Sequence, residues 1–505
     1  MSDQSELRPA QSGEVPTEPA LPLRRPSSRL GLGALGFAIV LAAGITIFAI
    51  EGADPTWFTV CTLLMAAIYS AAVVMVLMRR TPHPSDVVVI LGIALVLRTL
   101  ALAPAPNLST DAFRYVWDGR IQSAGFNPYL YVPADPRLAN LRDDAIYPKI
   151  NQKETAVTIY PPAAELLFLA ADRLAPGIGG IRLVMTLLDA TIIAGLLLLL
   201  WVLGQPRERV LIYAWHPLPL WEFVTQSHID VAATAAIVLA LLAAVGRRQG
   251  IAGAIMAVAV LVKYFPLVLL PAIWRRFDWR LPIAFLATAL LLYLPYVQEA
   301  GSQVLGFLGS HLDNEGYAAG WGFHPVWLLR DVGLGDPSAG RYVTVASTLL
   351  AGLAAYTLCA RAADQIRFDF ILLLGVAFVF LTSPHYPWYF GFLVALLVLA
   401  PNPAVFAMTL LAPLLYLPRT TGGLSWTEIY FAVYWLPIVI FAAHSLWTST
   451  RKIHVEAAVA EAVEKTPPPG PSATPNDTGA GRHEKAEPGR SRDPSAPILQ
   501  NRATK

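Results

Sequence analysis

Two carboxylates in one short stretch invite a chemical reading. Asp111 and Asp118 lie in "LSTDAFRYVWDGRIQSAGFNPYLYVPADPRL", which begins at Leu108. Seven residues apart, they would share one face of a helix. Arg114 and Tyr115 follow Asp111 by about one helical turn. A carboxylate beside arginines can act as a general base and take a proton from a hydroxyl. The same residues also read as a helix start, since "STD" ahead of "AFRYVWDG" suits an N-cap.

The cations nearby have two readings each. Arg98 stands in an apolar run, where a charge needs a partner or a polar cavity. It either snorkels outward or meets an anionic group such as a lipid phosphate. Lys263 is the only charge in "AVLVKYFPLVLLP", and Pro266 breaks the helix beside it. An ammonium next to freed backbone donors can hold a phosphate; the alternative is a lysine snorkelling at a helix end. His216, Glu222, His228 and Asp230 fall in "WHPLPLWEFVTQSHIDVAATAA". Polar groups at membrane depth face a bundle interior or a watery cavity. A zinc site would need a third ligand and different spacing, whereas His228 and Asp230 suit the hydroxyls of a sugar. "LTSPHYPWYF" carries His385 among aromatic rings, and "HLDNEGYAAGWGFHP" carries His311, Asp313, Glu315 and His324. Rings with a few polar groups fit an apolar-and-carbohydrate pocket; an interfacial aromatic belt accounts for part of them.

These residues must be positioned by membrane helices. The chain of 505 residues is 55% hydrophobic and 14% charged, against roughly 25% charged in soluble domains. A formal net charge of +2 gives no pull toward nucleic acid. Cys61 and Cys359 lie in apolar runs and read as packed thiols. No Walker A motif, no G-x-G-x-x-G after a strand, no H-E-x-x-H and no G-x-S-x-G occurs. A nucleotide donor, a cofactor and a metal are therefore not expected.

Clear apolar spans are expected at Leu30–Ile50, Pro55–Met78, Asp86–Ala103, Gly180–Leu203, Ile229–Val245, Leu281–Tyr296, Val343–Ala360, Phe370–Thr382 and Glu428–Trp447. Shorter or proline-interrupted ones fall at Val210–Phe223, Ile251–Val262, Phe265–Trp274, Tyr389–Leu399 and Ala404–Leu417. The fold class is thus an all-α polytopic membrane protein, a bundle of about 12–14 transmembrane helices with a large loop after the third span. Residues 1–29 and 449–505 are polar and read as disordered tails, the first of them not a cleavable signal peptide; the transmembrane domain spans 30–448. The basic junctions "LRRPSSR", "MRR", "GQPRERV", "GRRQG", "WRRFDWR" and "STRK" all fall on one side if the spans alternate with both tails inside. Positive junctions mark the cytoplasm. The 105–158 loop, and with it Asp111, is then external.

Together, "STDAFRYVWDGRIQSAGFNPYLYVPADPRL", "TIYPPAAELLF", "SHIDV", "LVKYFP" and "SPHYPWYF" resemble bacterial GT-C glycosyltransferases. The similarity is to family 87, which includes polyprenol-phosphate-mannose-dependent mannosyltransferases, and covers roughly Asp86 to Trp447. The resemblance implies a GT-C-type bundle in a bacterial plasma membrane, a polyprenyl-phosphate-sugar donor, and a lipid or envelope-glycan acceptor on the periplasmic face. It makes Asp111 the base and His385 a partner of the donor phosphate, with Lys263 and Arg98 as further phosphate partners. Asp118, Arg114, Tyr115, Tyr160, His228 and Asp230 become candidates for sugar or acceptor contact. Ala112 follows Asp111, so the paired acid of some GT-C relatives is missing and metal dependence is not implied. Two spans precede the one leading into the aspartate loop, so that loop is the second external connection here.

The main rival is a transporter or flippase for a lipid-linked sugar, since carriers also use broken helices with midplane charges. No internal repeat supports it, and an external loop of about 50 residues suits a catalytic lid better. A membrane scaffold without chemistry would leave Lys263 unexplained.

Overall fold

Within hydrocarbon a backbone must satisfy its own polar groups, so long apolar runs become helices. The computed structural model describes residues 28–78, 84–306, 315–320, 322–419, 426–440 and 442–443, all within one packed unit, Met1–His444. Among these residues there is helix and turn and no strand. Residues 1–27 of the expected first tail, the whole second tail, His311, Asp313, Arg79, Arg80 and Trp447 lie outside the described residues.

The first two helices, α1 (Ser28–Glu51) and α2 (Pro55–Leu77), pack together, and α3 (Pro84–Ala101) packs on α1. Asp54 starts α2 by accepting from the backbone N–H of Thr56 and Trp57 at 2.9 and 3.1 Å, with Pro55 at the first helical position. Next come α4 (Asp111–Ser123), α5 (Pro162–Leu174) and α6 (Ile178–Val202). Then α7 (Asp230–Val245), α8 (Gln249–Val262) and α9 (Arg280–Ala300) follow, with α8 packed on both its neighbours. After α10 (Ala339–Cys359) and α11 (Phe368–Thr382), α12 (Gly391–Leu399) packs against α7, and α13 (Pro403–Leu411) packs on α12.

The expected dozen or more spans divide into two kinds. Among the described residues, five helices are long and apolar enough to cross a bilayer: Gly31–Glu51, Pro55–Leu77, Ile178–Val202, Arg280–Leu305 and Ala339–Cys359. A sixth exists if Pro217–Thr225 and Asp230–Val245, bent by 118°, count as one broken span. The other apolar helices, such as Gln249–Val262, Phe368–Thr382 and Pro387–Leu399, are too short for about 30 Å of hydrocarbon. Burial explains how they persist. Eight of the nine residues of α12 are buried, whereas only 11% of the Arg280–Leu305 window is. A helix surrounded by protein need not span, because its ends meet protein rather than lipid.

Proline sets the interruptions. The expected Phe265–Trp274 segment is a 3-10 turn, Phe265–Leu269, followed by a four-residue helix, Leu270–Ile273, with Pro266 and Pro271 at their starts. The Val210–Phe223 segment is likewise pieces: Leu211–Ala214, Pro217–Pro219 and a π-helical turn, Leu220–Thr225.

The 105–158 segment is ordered chain built around α4. The Arg114 guanidinium donates to the Ala156 carbonyl at 3.1 Å, and the Thr158 N–H to the Pro128 carbonyl at 3.3 Å, so the segment folds back on itself. Thr110, not Asp111, is the N-cap of α4, and its side chain makes no capping bond; Asp111 is instead the acid of the first turn. There the helix dipole favours a negative charge.

Helix α4 lies against α5 at Gly119, where a Cβ would sit 2.4 Å from the Phe168 carbonyl oxygen. Gly119→Val is therefore expected to force α4 and α5 apart and cost about 1–3 kcal/mol. Gly44→Ala, whose added carbon meets nothing within 4 Å, is the control. Thermal unfolding in detergent should show a lowered midpoint for the first and none for the second.

Candidate active site

Two irregular segments meet at the start of α4. One is the break between the Leu220–Thr225 turn and α7. In it Ser227 adopts φ = 60°, a left-handed conformation that is uncommon for a residue with a side chain. The break is tied to α3 and its following loop: the Thr225 hydroxyl donates to the Ala101 carbonyl at 2.7 Å, and the Leu108 N–H donates to Gln226 Oε1 at 3.1 Å. The other segment follows α11, where Ser383 has φ = 48° just before His385 and the Pro387–Phe390 turn. The segments touch where the His228 ring stacks on Trp388, with centroids 3.8 Å apart and an interplanar angle of 17°.

Asp111 lines a polar cavity of about 320 Å³ together with Asn107, Ser109, Asn151, Gln152 and Trp388. Beside it is a larger cavity of about 760 Å³ walled by apolar groups such as Phe323, Val343, Leu350, Phe378 and Leu381. Ile159, Tyr160, Lys263, Glu315, Tyr386 and Tyr389 line both, so the two spaces share one wall.

Lys263 caps the C-terminal end of α8 and enters this shared wall. Its ammonium lies 2.8 and 2.7 Å from the two oxygens of Asp230 and 3.8 Å from the centroid of the Tyr389 ring. His385 lines the apolar cavity. Its Nε2 is 2.9 Å from the Gly322 carbonyl oxygen and its Nδ1 3.3 Å from Glu315 Oε2. The Tyr386 hydroxyl donates to Glu315 Oε1 at 3.2 Å.

Other expected site residues sit behind these walls. Arg98 lines neither cavity. It is buried, donating from Nε to Asp189 Oδ2 at 2.8 Å and from NH1 to the Ala214 carbonyl, while the Tyr213 hydroxyl holds Asp189 Oδ1 at 2.8 Å. Its apolar surroundings contain their own counter-ion, so an external anion is not needed. His228 and Asp230 are buried and line neither cavity; they back Asp111 and Lys263. His228 Nδ1 is 3.6 Å from Asp111 Oδ2, and its Nε2 is 3.4 Å from Glu222 Oε2. Asp118 does not share the fate of Asp111. It is fully buried, with Arg114 Nε 2.9 and 3.0 Å from its two oxygens. Arg114 and Tyr160 do reach the polar cavity. Tyr115 stacks on Phe168, and its hydroxyl meets the Ile229 N–H at 3.4 Å. His216 and His324 are packed elsewhere, the first against Thr409 and the second accepting from the Trp435 indole. Among the described residues, no three His, Cys, Asp or Glu side chains form a group that could hold a metal ion.

Beneath α4, Glu165 joins Asp118. Thr158 donates to Glu165 Oε1 at 2.6 Å and Gln122 to Oε2 at 2.8 Å. Burial, then the neighbouring Asp118 carboxylate, pushes Glu165 well above the usual carboxyl range. Burial also raises Asp118, against the opposing pull of Arg114. Burial thus favours the protonated form of Glu165, while Asp118 pairs with Arg114.

Two participants were not named from the sequence: Asp189 and Glu165. Asp189 carried a usable signal, a lone acid in the long apolar run of α6 that matches the lone Arg98 of α3.

The model of glycosyltransferase family 87 matches residues 158–384. That stretch includes Tyr160, His228, Asp230 and Lys263, stops one residue before His385, and leaves Asp111 and Arg98 outside. No curated protein and no solved structure matches the chain.

Two consequences concern the buried charges. Arg98→Ala should lower unfolding free energy by about 3–5 kcal/mol, and the double change Arg98→Met with Asp189→Leu should recover most of it; chemical denaturation in detergent measures both. Since a raised carboxyl loses stability as pH rises above the ordinary value near ~4.3 toward its folded value, the wild type should weaken between mildly acidic and alkaline pH. Glu165→Gln should keep neutral-pH stability and flatten that slope.

Proposed function

We propose that the chain, whose residues 158–384 match the model of glycosyltransferase family 87, is a membrane glycosyltransferase that transfers a hexose, mannose in the first instance, from a polyprenyl-phosphate carrier to a lipid or glycan acceptor. The observation that carries this reading is the shared wall. An apolar cavity able to take a lipid chain and a polar cavity able to take hydroxylated groups meet at Lys263, and Asp111 belongs only to the polar one.

In this reaction the lipid tail lies in the apolar cavity and its phosphate sits near Lys263 and His385. The acceptor enters the polar cavity. Asp111 removes the proton of the acceptor hydroxyl, whose oxygen attacks the anomeric carbon. The new C–O bond forms as the bond from that carbon to the phosphate oxygen breaks, and polyprenyl phosphate leaves. A single displacement inverts the anomeric configuration. Lys263 offers a positive charge where negative charge grows on the leaving phosphate. Tyr160, Tyr386 and Tyr389 supply rings and hydroxyls on which a sugar can rest. The basic junctions support a site on the periplasmic face of a bacterial plasma membrane, with both tails cytoplasmic. Arg98, paired with Asp189, is assigned no part.

Asp111→Asn removes the base and little else. Membranes carrying it should transfer labelled mannose from a short-chain polyprenyl phosphate at least about 100-fold more slowly, with donor binding retained. Wild-type transfer by this variant would overturn the assignment of the base.

A further inference from the structure

Three helix ends come together away from the two cavities. Helix α7 stops at Val245, α10 stops at Cys359, and α9 begins at Arg280. Helices α9 and α10 are long and apolar enough to span, so the residues just outside them lie at a headgroup surface. Phe277 and Trp279, both exposed, mark the same level, as rings do at a membrane interface. Guanidinium groups tie the ends to one another. Arg275 donates to the Ala244 carbonyl at 3.2 Å and to the Asp364 carbonyl. Arg361, only 5% exposed, donates to the carbonyls of Thr357 at 3.1 Å, Pro271 at 3.0 Å, Trp274 and Gln365.

Carbonyls at helix C-termini attract a cation, yet they bring no full negative charge. The carboxylates that act on Arg275 are Asp364 and Asp278. Asp364 is already paired with Arg247 at 2.8 Å, and Asp278 with Arg280 at 2.6 Å. Among the described residues, no carboxylate pairs with Arg275, Arg276 or Arg361. The cations therefore act on one another. Burial first, then the charges of Arg275 and Arg276, holds the Arg361 guanidinium below its ordinary range. Burial and then Arg247 do the same to Arg275. Arg276 is the group left over: its Nε is buried with no hydrogen-bond partner, and its guanidinium lies 5.3 Å from the centre of the Phe277 ring. A buried donor without a partner, set among like charges, is costly in the absence of an anion.

We infer that this patch binds the headgroup phosphate of an anionic phospholipid, with Arg276 as the principal donor and Arg247 and Arg275 beside it. Basic pockets at the ends of membrane helices hold such headgroups. The phosphate supplies the negative charge that the carbonyls lack, and a guanidinium fork suits its oxygens. Phe277 and Trp279 extend the patch with apolar surface, which an acyl chain can use and a free phosphate cannot. The bound lipid then holds the ends of α7 and α10 against the start of α9, a bracing role separate from sugar transfer and independent of how Asp111 acts.

Thermal unfolding of the purified full chain in a nonionic detergent tests this with three probes at equal concentration: dioctanoyl phosphatidylglycerol, dioctanoyl phosphatidylcholine and inorganic phosphate. Phosphatidylglycerol should raise the midpoint by a few degrees, while the other two leave it in place. Arg276→Gln should keep the lipid-free midpoint, since its Nε has no partner to lose. It should need about 5-fold more phosphatidylglycerol for the same rise. Arg341→Gln removes an exposed cation at the opposite end of α10 and should respond as the wild type does. An Arg276→Gln response equal to that of the wild type overturns the site, and so does an equal rise with phosphatidylcholine. An equal rise with inorganic phosphate makes the ligand a free anion and overturns the lipid assignment. If Arg276→Gln does not fold, Arg247→Gln, at a side chain 72% exposed, decides by the same comparison.

Discussion

An ionised side chain in an apolar body must carry its counter-ion with it, and two such pairs join separate helices of this protein. Arg98 and Asp189 join α3 to α6 through a contact of 2.8 Å. Lys263 and Asp230 join the end of α8 to the start of α7 through one of 2.7 Å. The second pair is also placed to suit both helices, since an acid is favoured at an N-terminus and a cation at a C-terminus. The two pairs differ in exposure: the Lys263 side chain retains 18% and borders both cavities, while Arg98 is sealed in. One ion pair is an internal brace, and the other leaves its cation at the edge of open space.

The site then follows from where the helices stop. A regular helix would hide its backbone and leave few polar groups at depth. Here the π-helical turn, the left-handed Ser227 and the left-handed Ser383 break the pattern at two places that come together. Their polar groups are taken up within the protein, as the Leu108–Gln226 and His228–Glu222 bonds show. Irregular backbone at membrane depth is tolerated under that condition. The short buried helices around it, α8 and α12 among them, replace lipid with protein and make the breaks affordable.

Much of this architecture was legible in the residues. Apolar period and length located α1, α2, α3, α6 and α9 to within a few residues, because each is a long uninterrupted run. Pro266 and Pro271 announced the broken segment after Lys263, because proline acts locally. Side-chain partners were harder. Asp111 and Asp118 share a spacing that puts them on one helical face, yet one lines a cavity and the other is locked to Arg114. Spacing fixes the side of a helix, but whether α5 covers that side depends on Gly119 letting the two helices approach. His228 looked like a sugar ligand because it sits at the mouth of an apolar run. Burial under Trp388, 160 residues later in the chain, is a long-range contact that no local pattern contains. Arg98 was open to two readings for the same reason: its partner, Asp189, lies 91 residues away.

The Lys263–Asp230 pair bears on the proposed transfer in a way that neither residue would alone. Asp230 holds the ammonium in place before any donor arrives. The Tyr389 ring, 3.8 Å away, adds attraction without adding a second anion. Because the pair is already oriented, negative charge appearing on a leaving oxygen meets a fixed charge held in place by Asp230. Asp230 also limits the ground-state grip on the donor, since two anions then compete for one cation. An arrangement that binds the incoming lipid phosphate modestly and the departing one more strongly is the kind that raises turnover rather than merely tightening the complex.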